Sequence, residues 1–237
     1  MIKRRLFFCG VAVQVLFGSA TISFAQDCNS ENVEQLKKSC IAILRDVAAT
    51  IQTGRNLETV AWGKGQESIK PSYDCLKGGY DLGVALFKDC NPSSPGVNPI
   101  ACVQTLVGVP DTIKACEAAI SLVQEAWSLY EQAKFLYGTA DVAFSDQGGN
   151  EIAEELKKCG EPGCLQLAQA LSEYAQQNRD RAQRNQDRLK EHENQLVGVK
   201  GELEACQQDS SSCDKIQQYQ VPELEPIDAG PPDIILN

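Results

Sequence analysis

Residues 168–206, AQALSEYAQQNRDRAQRNQDRLKEHENQLVGVKGELEAC, decide the architecture. Steps of three and four from Ala168 reach Leu171, Ala175, Asn178, Ala182, Asn185, Leu189, His192, Leu196, Val199, Leu203 and Cys206 without a slip. This is the heptad seam of a coiled coil. A helix over 164–208 is roughly 65 Å long at about 1.5 Å per residue, too long to bury all of its length in a compact domain of this size. Asn178, Asn185 and His192 occupy consecutive d positions, where polar residues cost stability and fix register or partner number. The flanks are polar almost throughout, so residues 176–195 are expected to be the least buried helical segment.

Between Asn178 and Lys190 lie Arg179, Arg181, Arg184, Arg188 and Lys190 against Asp180 and Asp187. In the heptad frame Arg181 and Arg188 flank the seam at g and Arg179 at e, the positions that select a partner helix by charge. These three arginines are the candidate partner-binding residues. The partner is either an acidic face of the same chain, which is the simpler reading, or a second subunit or another protein docking along the long helix.

The chain opens with Lys3, Arg4 and Arg5, then an apolar run from Leu6 to Phe17, with Ser23 and Ala25 before an expected cut ahead of Gln26. This is a secretory signal pattern, and the run is too short to span a bilayer. Removing residues 1–25 takes away Lys3, Arg4 and Arg5 and no acid, so the net charge goes from −10 to −13. That balance disfavours nucleic acid and anionic membrane surfaces as partners. One of the 11 cysteines, Cys9, leaves with the leader, and an even set remains. In an exported chain that set reads as a disulfide framework.

Upstream of the long helix, Val33, Leu36, Cys40, Leu44, Val47 and Ile51 predict a helix from Ser30 to about Thr53, with Gly54 as its stop. Gly63-Lys64-Gly65 reads as a turn. Ser72 is placed to cap a helix from Tyr73 to about Asp89, with Tyr73, Leu76, Tyr80, Val84 and Phe87 as its apolar stripe. A loop through 91–98 precedes a short helix over 99–107. Pro110 then opens a long helix whose seam runs Ile113, Cys116, Ile120, Val123, Trp127, Tyr130 and on to Tyr137. That apolar seam places residues 111–140 at the centre of the core. A short helix over 151–159 leads into the long one. Residues 218–237, rich in proline and acid, read as a disordered or extended tail.

The chemistry available is small. His192 is the only histidine and reads as a seam or surface residue; no C-x-x-C pair exists, and the usual zinc spacings are absent. Neither a catalytic set nor a cofactor motif is present, so no cofactor, metal or enzymatic activity is expected.

Helix geometry limits the disulfides. Cys75 and Cys90 are about 22 Å apart within one helix but nearly on one face; Cys102 and Cys116 are spaced similarly. Two antiparallel helices around the 91–98 loop then match Cys90 with Cys102 and Cys75 with Cys116. Cys159 and Cys164 are left as a local clip across Gly160–Gly163. Cys206 and Cys213 either close the far end of the long helix or join Cys28 and Cys40.

The fold expected is all-α: a disulfide-stapled helical bundle with a long coiled-coil-like helix over about 164–208 and a disordered C-terminal tail. Its divisions are a signal peptide (1–25), a stapled helical core (26–160), the long helix with its closing turn (161–217) and the tail (218–237). The function expected is that of an exported, non-enzymatic structural or interaction protein of a bacterial envelope or secretion assembly. The alternative is a carrier holding a small apolar ligand between the helices of 72–89 and 111–140.

Overall fold

The structure, a computed structural model, describes residues 28–92 and 96–227. The expected leader with Cys9, and Ile234–Leu236 of the tail, lie outside the described residues. Among those described there is no strand. Five α-helices run α1 (Ser30–Glu67), α2 (Ile69–Cys90), α3 (Pro99–Asp146), α4 (Gly149–Lys158) and α5 (Gly163–Gln208), followed by a 3-10 turn over Ser210–Lys215.

Local chemistry sets the ends. The Asn29 side chain accepts from the Asn32 amide at the start of α1. Asn98 accepts from the amides of Ile100 and Ala101 ahead of Pro99, the residue type suited to a first helical position. Gly148 (φ 77°) and Gly160 (φ 81°) supply the two left-handed turns around α4. α1 and α2 meet at Ser68. Pro71 has no N–H to give the Glu67 carbonyl, and the helix is interrupted there. Ser68 keeps helical angles, and its hydroxyl donates to the Gly65 carbonyl at 2.7 Å.

α1 and α2 together make one arm, antiparallel to α3. Their partners descend α3 as the arm ascends: Glu58 meets Tyr137, Lys64 meets Glu125, Cys75 joins Cys116 and Cys90 joins Cys102. α5 lies parallel to the same arm, with sequence separations of 124 at Cys40–Cys164, 123 at Glu58–Arg181 and 120 at Ser72–His192. Three rods therefore share one register along a bundle about 70 Å long, the length of the 48-residue α3. Because the whole bundle is elongated, α5 does bury its seam from end to end. All twelve seam residues from Ala168 to Cys206 are buried.

Other expectations change. Gly54 does not stop α1. It is buried inside the helix, where a Cβ would stand 2.9 Å from Tyr137 Cε1, so the glycine is a notch for that ring. Gly63 and Gly65 are helical as well, with no turn between them. Pro110 opens no new helix. It lies inside a continuous α3 with its ring on the solvent face, where losing one backbone donor is least costly. The inward stripe of α3 is Val109, Cys116, Ala119, Val123, Ala126, Tyr130, Ala133, Tyr137, Ala140 and Phe144; Trp127 is 37% exposed. In α2 the packed face is Ser72, Cys75, Leu76, Gly79, Gly83 and Leu86, and Tyr73, Val84 and Phe87 face outward. Ser72, expected as a cap, lies within α2.

Cysteine bridges fasten the two ends. Cys206 pairs with Cys213 and Cys90 with Cys102 at one end, with Cys75–Cys116 further in. At the other end the expected Cys159–Cys164 clip does not form. Cys159 joins Cys28 and Cys164 joins Cys40, at Cα separations of 5.5 and 6.2 Å. The chain reverses at Gly160, which sets the two cysteines against different levels of the first turns of the arm.

From Ile216 to Ile227 the chain has no regular secondary structure and returns along α5 toward the middle of the bundle as a strap. Ile216 packs on Gly83 and Leu224 on Gly65, each in a space that a Cβ would fill. Of the residues expected to be disordered or extended, those through Ile227 are extended and lie against the bundle; 228–237 lie outside the described residues.

The notch at Gly54 is testable against Gly63, where a Cβ meets nothing within 4 Å. Gly54→Ala should cost about 1–3 kcal/mol through overpacking on Tyr137. Gly63→Ala should be neutral or stabilising by up to about 1 kcal/mol, from helix propensity alone. Chemical denaturation of both variants decides it; equal effects would remove the notch.

Candidate functional site

The polar positions of the α5 seam mark three rungs, one per heptad: Asn185 and His192 find partners on other elements, and Asn178 bonds Arg181 of its own helix, which reaches across to α1. At the first rung Glu58, 0% exposed, receives Nε and Nη2 of Arg181 at 2.9 Å each, a two-pronged ion pair. The Tyr137 hydroxyl donates to Glu58 Oε2 at 2.7 Å. Arg181 also donates to the Asn178 side-chain oxygen, whose amide donates to the Tyr174 carbonyl. A buried carboxylate and guanidinium survive together only when paired and hydrogen-bonded in this way. Burial, then the Glu58 carboxylate, pushes the Tyr137 phenol well above its ordinary range, so it is a permanent donor.

At the second rung Asn185, also 0% exposed, donates to the Tyr130 hydroxyl and to the Glu225 carbonyl, and accepts from the Glu225 amide at 2.8 Å. Next to it Gln186 accepts from Lys134 and donates to Glu131, both on α3. At the third rung His192 Nε2 lies 2.7 Å from the Ser72 hydroxyl, beside the α1–α2 junction. His192, Leu189, Val221, Pro222 and Leu224 line one cavity of only about 10 Å³, so the strap closes over the imidazole. Burial lowers the His192 pKa to about 4, against a smaller opposing contribution from Gln195.

These placements revise the arginine reading. Arg181 is not available to a partner, being buried on Glu58. Arg188 reaches the Glu223 carbonyl and the Glu225 carboxylate. Arg184 grips Glu225 with Nε at 3.0 Å and Nη2 at 3.0 Å, and this contact holds the Glu225 carboxyl below its usual range. The acidic partners of Arg181, Arg184 and Arg188 are thus in the same chain. Arg179 is exposed, with its guanidinium over Gly138. Residues 176–195, expected to be the least buried helical segment, contain Asn178, Arg181, Ala182, Asn185, Gln186, Leu189 and His192, all buried.

Glu58 was not singled out from the sequence, although a signal exists. Continuing the α1 seam past Ile51 by three and four passes Gly54 and lands on Glu58, an acid on an otherwise apolar stripe. Beside the network Arg181, Arg184, Glu225 and Pro226 line a surface cavity of about 400 Å³. What the network does chemically is orient three helices and a strap. Among the described residues no cluster of His, Cys, Asp and Glu fits a metal ion, and no helix is long and apolar enough to cross a membrane. The interhelical groove closest to the carrier reading lies between α2 and α3, about 580 Å³, lined by Gly78, Leu82, Ala101, Thr105, Gly108 and Thr112 among others, and wide open to solvent. No protein-family model, curated protein or solved structure matches this chain.

Two predictions follow from the rungs. Glu58→Leu or Arg181→Met, each leaving a buried charged group unpaired, should destabilise by about 3–5 kcal/mol. The double variant Glu58→Leu/Arg181→Met should recover much of that loss in a denaturant double-variant cycle; strict additivity would show that the two groups do not interact. The histidine acts through pH. Its folded pKa of about 4 lies below the unfolded value of 6.5, so its neutral form stabilises the fold fully above pH 6.5, and that contribution is lost as pH falls toward 4, amounting to about 3 kcal/mol at most. His192→Gln should flatten the stability profile between pH 6.5 and 4 relative to the parent chain, whereas parallel profiles would assign the acid sensitivity to carboxylates such as Glu225.

Proposed function

We propose that this chain is an exported, non-enzymatic helical protein that works as a structural or interaction component of a bacterial envelope or secretion assembly. The observation that carries the reading is an apolar stripe at one end of the rod. Ile100, Val103 and Val107, spaced by three and four along one face of α3, are 74, 64 and 72% exposed, with Val97 beside them at 43%. Residues 97–110 contain no charged side chain, in a chain whose formal net charge is −10. A contiguous apolar, uncharged face on an otherwise acidic surface is the signature of a protein–protein contact. Five disulfides support an oxidising compartment, as does the leader pattern of residues 1–25.

The stripe is helical and narrow, which suits an apolar helix face of a partner protein. The test is photo-crosslinking in the producing cell, with a benzophenone side chain at Val103 or, as control, at exposed Glu173. Position 103 should give a discrete protein adduct that Ile100→Glu abolishes while the far-ultraviolet circular dichroism stays unchanged. Adducts that are absent at 103, or identical from both positions, would remove the stripe as a docking face.

A further inference from the structure

The strap is held by contacts that read an extended peptide and not a fold. Asn185 pairs with the backbone of Glu225 in both directions, its Oδ1 accepting from the amide at 2.8 Å and its Nδ2 donating to the carbonyl at 3.0 Å. A buried asparagine used in this way recognises main chain whatever the side chain. Selectivity comes from the neighbours. Arg184 and Arg188 converge on the Glu225 carboxylate, and Arg188 also donates to the Glu223 carbonyl at 2.8 Å. Leu224 enters the space left by Gly65. Helix α5 thus presents a backbone clamp and a carboxylate clamp at Glu225, and α1 presents an apolar notch at the preceding Leu224.

Asn185 and Tyr130 are buried parts of the bundle, 0% exposed, whereas residues 216–227, which they hold, contain no helix, strand or disulfide. We propose that the groove between α5 and the α1–α2 arm is a recognition site for an extended segment of another polypeptide carrying an apolar residue followed by glutamate, and that the strap is this chain's own occupant, displaced when the partner binds. The charge fits: two arginines facing one acid accept a glutamate from any source, and Glu225 of the strap marks the chemistry required. This site is distinct from the apolar stripe on α3. Tethering gives the strap an effective concentration on the order of millimolar, so a free peptide competes poorly against the intact chain and well once the strap is weakened.

The probe is a fluorescein-labelled synthetic peptide with the sequence of residues 220–227, QVPELEPI, read by anisotropy against the full-length chain with its disulfides formed. The Leu224→Ala/Glu225→Gln chain should bind it at least tenfold more tightly than the unaltered chain. A peptide with glutamine at the place of Glu225 should lose tenfold or more, as should a strap-weakened chain that also carries Arg184→Ala. Circular dichroism and thermal melting of each variant establish that it is folded; if the double variant is not, the Glu225→Gln chain alone takes its place. Saturable binding with this dependence on the glutamate and on Arg184 supports the site. Absence of binding to a folded, strap-weakened chain, or binding indifferent to the glutamate, would overturn it and leave the strap as a purely structural element.

Discussion

The rest of the structure depends on an ion pair sealed in the middle of a rod. Removing Glu58 and Arg181 from water costs several kcal/mol per ion, which the two-pronged contact, Tyr137 and Asn178 offset. That offset exists in one register. Sliding α5 by a heptad against the arm would bring Tyr174 or Arg188 to Glu58 and set Arg181 against Gly65 or Ile51, and in either direction Asn185 and His192 would lose Tyr130 and Ser72. Heptads alone would tolerate such a slide, since Ala168, Ala175 and Ala182 are interchangeable as packing units. The pair, together with Asn185 on Tyr130 and His192 on Ser72, excludes the alternatives. In this reading the polar rungs give the bundle its uniqueness more than its net stability.

Covalent and non-covalent fastening divide the molecule between them. Bridges from Cys28 and Cys40 close one end, and those at Cys90, Cys206 and Cys75 close the other. Between these ends the three rods are held by the rungs and by close approach at small residues. Gly54 admits Tyr137, Gly79 admits Val199, and Ala119, Ala126, Ala133 and Ala140 line the inward face of α3. The strap uses the same device, with Gly65 and Gly83 receiving Leu224 and Ile216.

What was legible in the sequence follows from the range of the signal. The α5 seam was readable in full because heptad spacing is local, and all twelve of its residues are inward. The cysteine pairs around the α2–α3 loop were readable for the same reason: two helix faces joined by a short loop leave few ways to match. The polarity of residues 176–195 misled, because the groups that satisfy it lie far away in sequence, 123 residues for Glu58 and 120 for Ser72. Without those partners a polar seam reads as an exposed one. Glycine and proline misled in a different way. Each signals a helix boundary and also marks a site of close packing or a tolerated solvent-face defect, and tertiary contact decides between them. Gly54 and Pro110 both took the second meaning. In α3 the large residues Trp127 and Ile120 drew the stripe one position away from the alanines that form the core.

The account stands on residues 176–195 of α5 being a locked part of the bundle's centre and not a solvated rod. Native-state amide hydrogen exchange of the oxidised protein tests this most directly. Amides of Asn178, Ala182, Asn185, Leu189 and His192 should exchange only through global opening, with the same protection free energy as those of Val123, Tyr130 and Tyr137 on α3. Exchange through local fraying in the middle of α5, at rates well above those of the α3 core, would contradict the register lock.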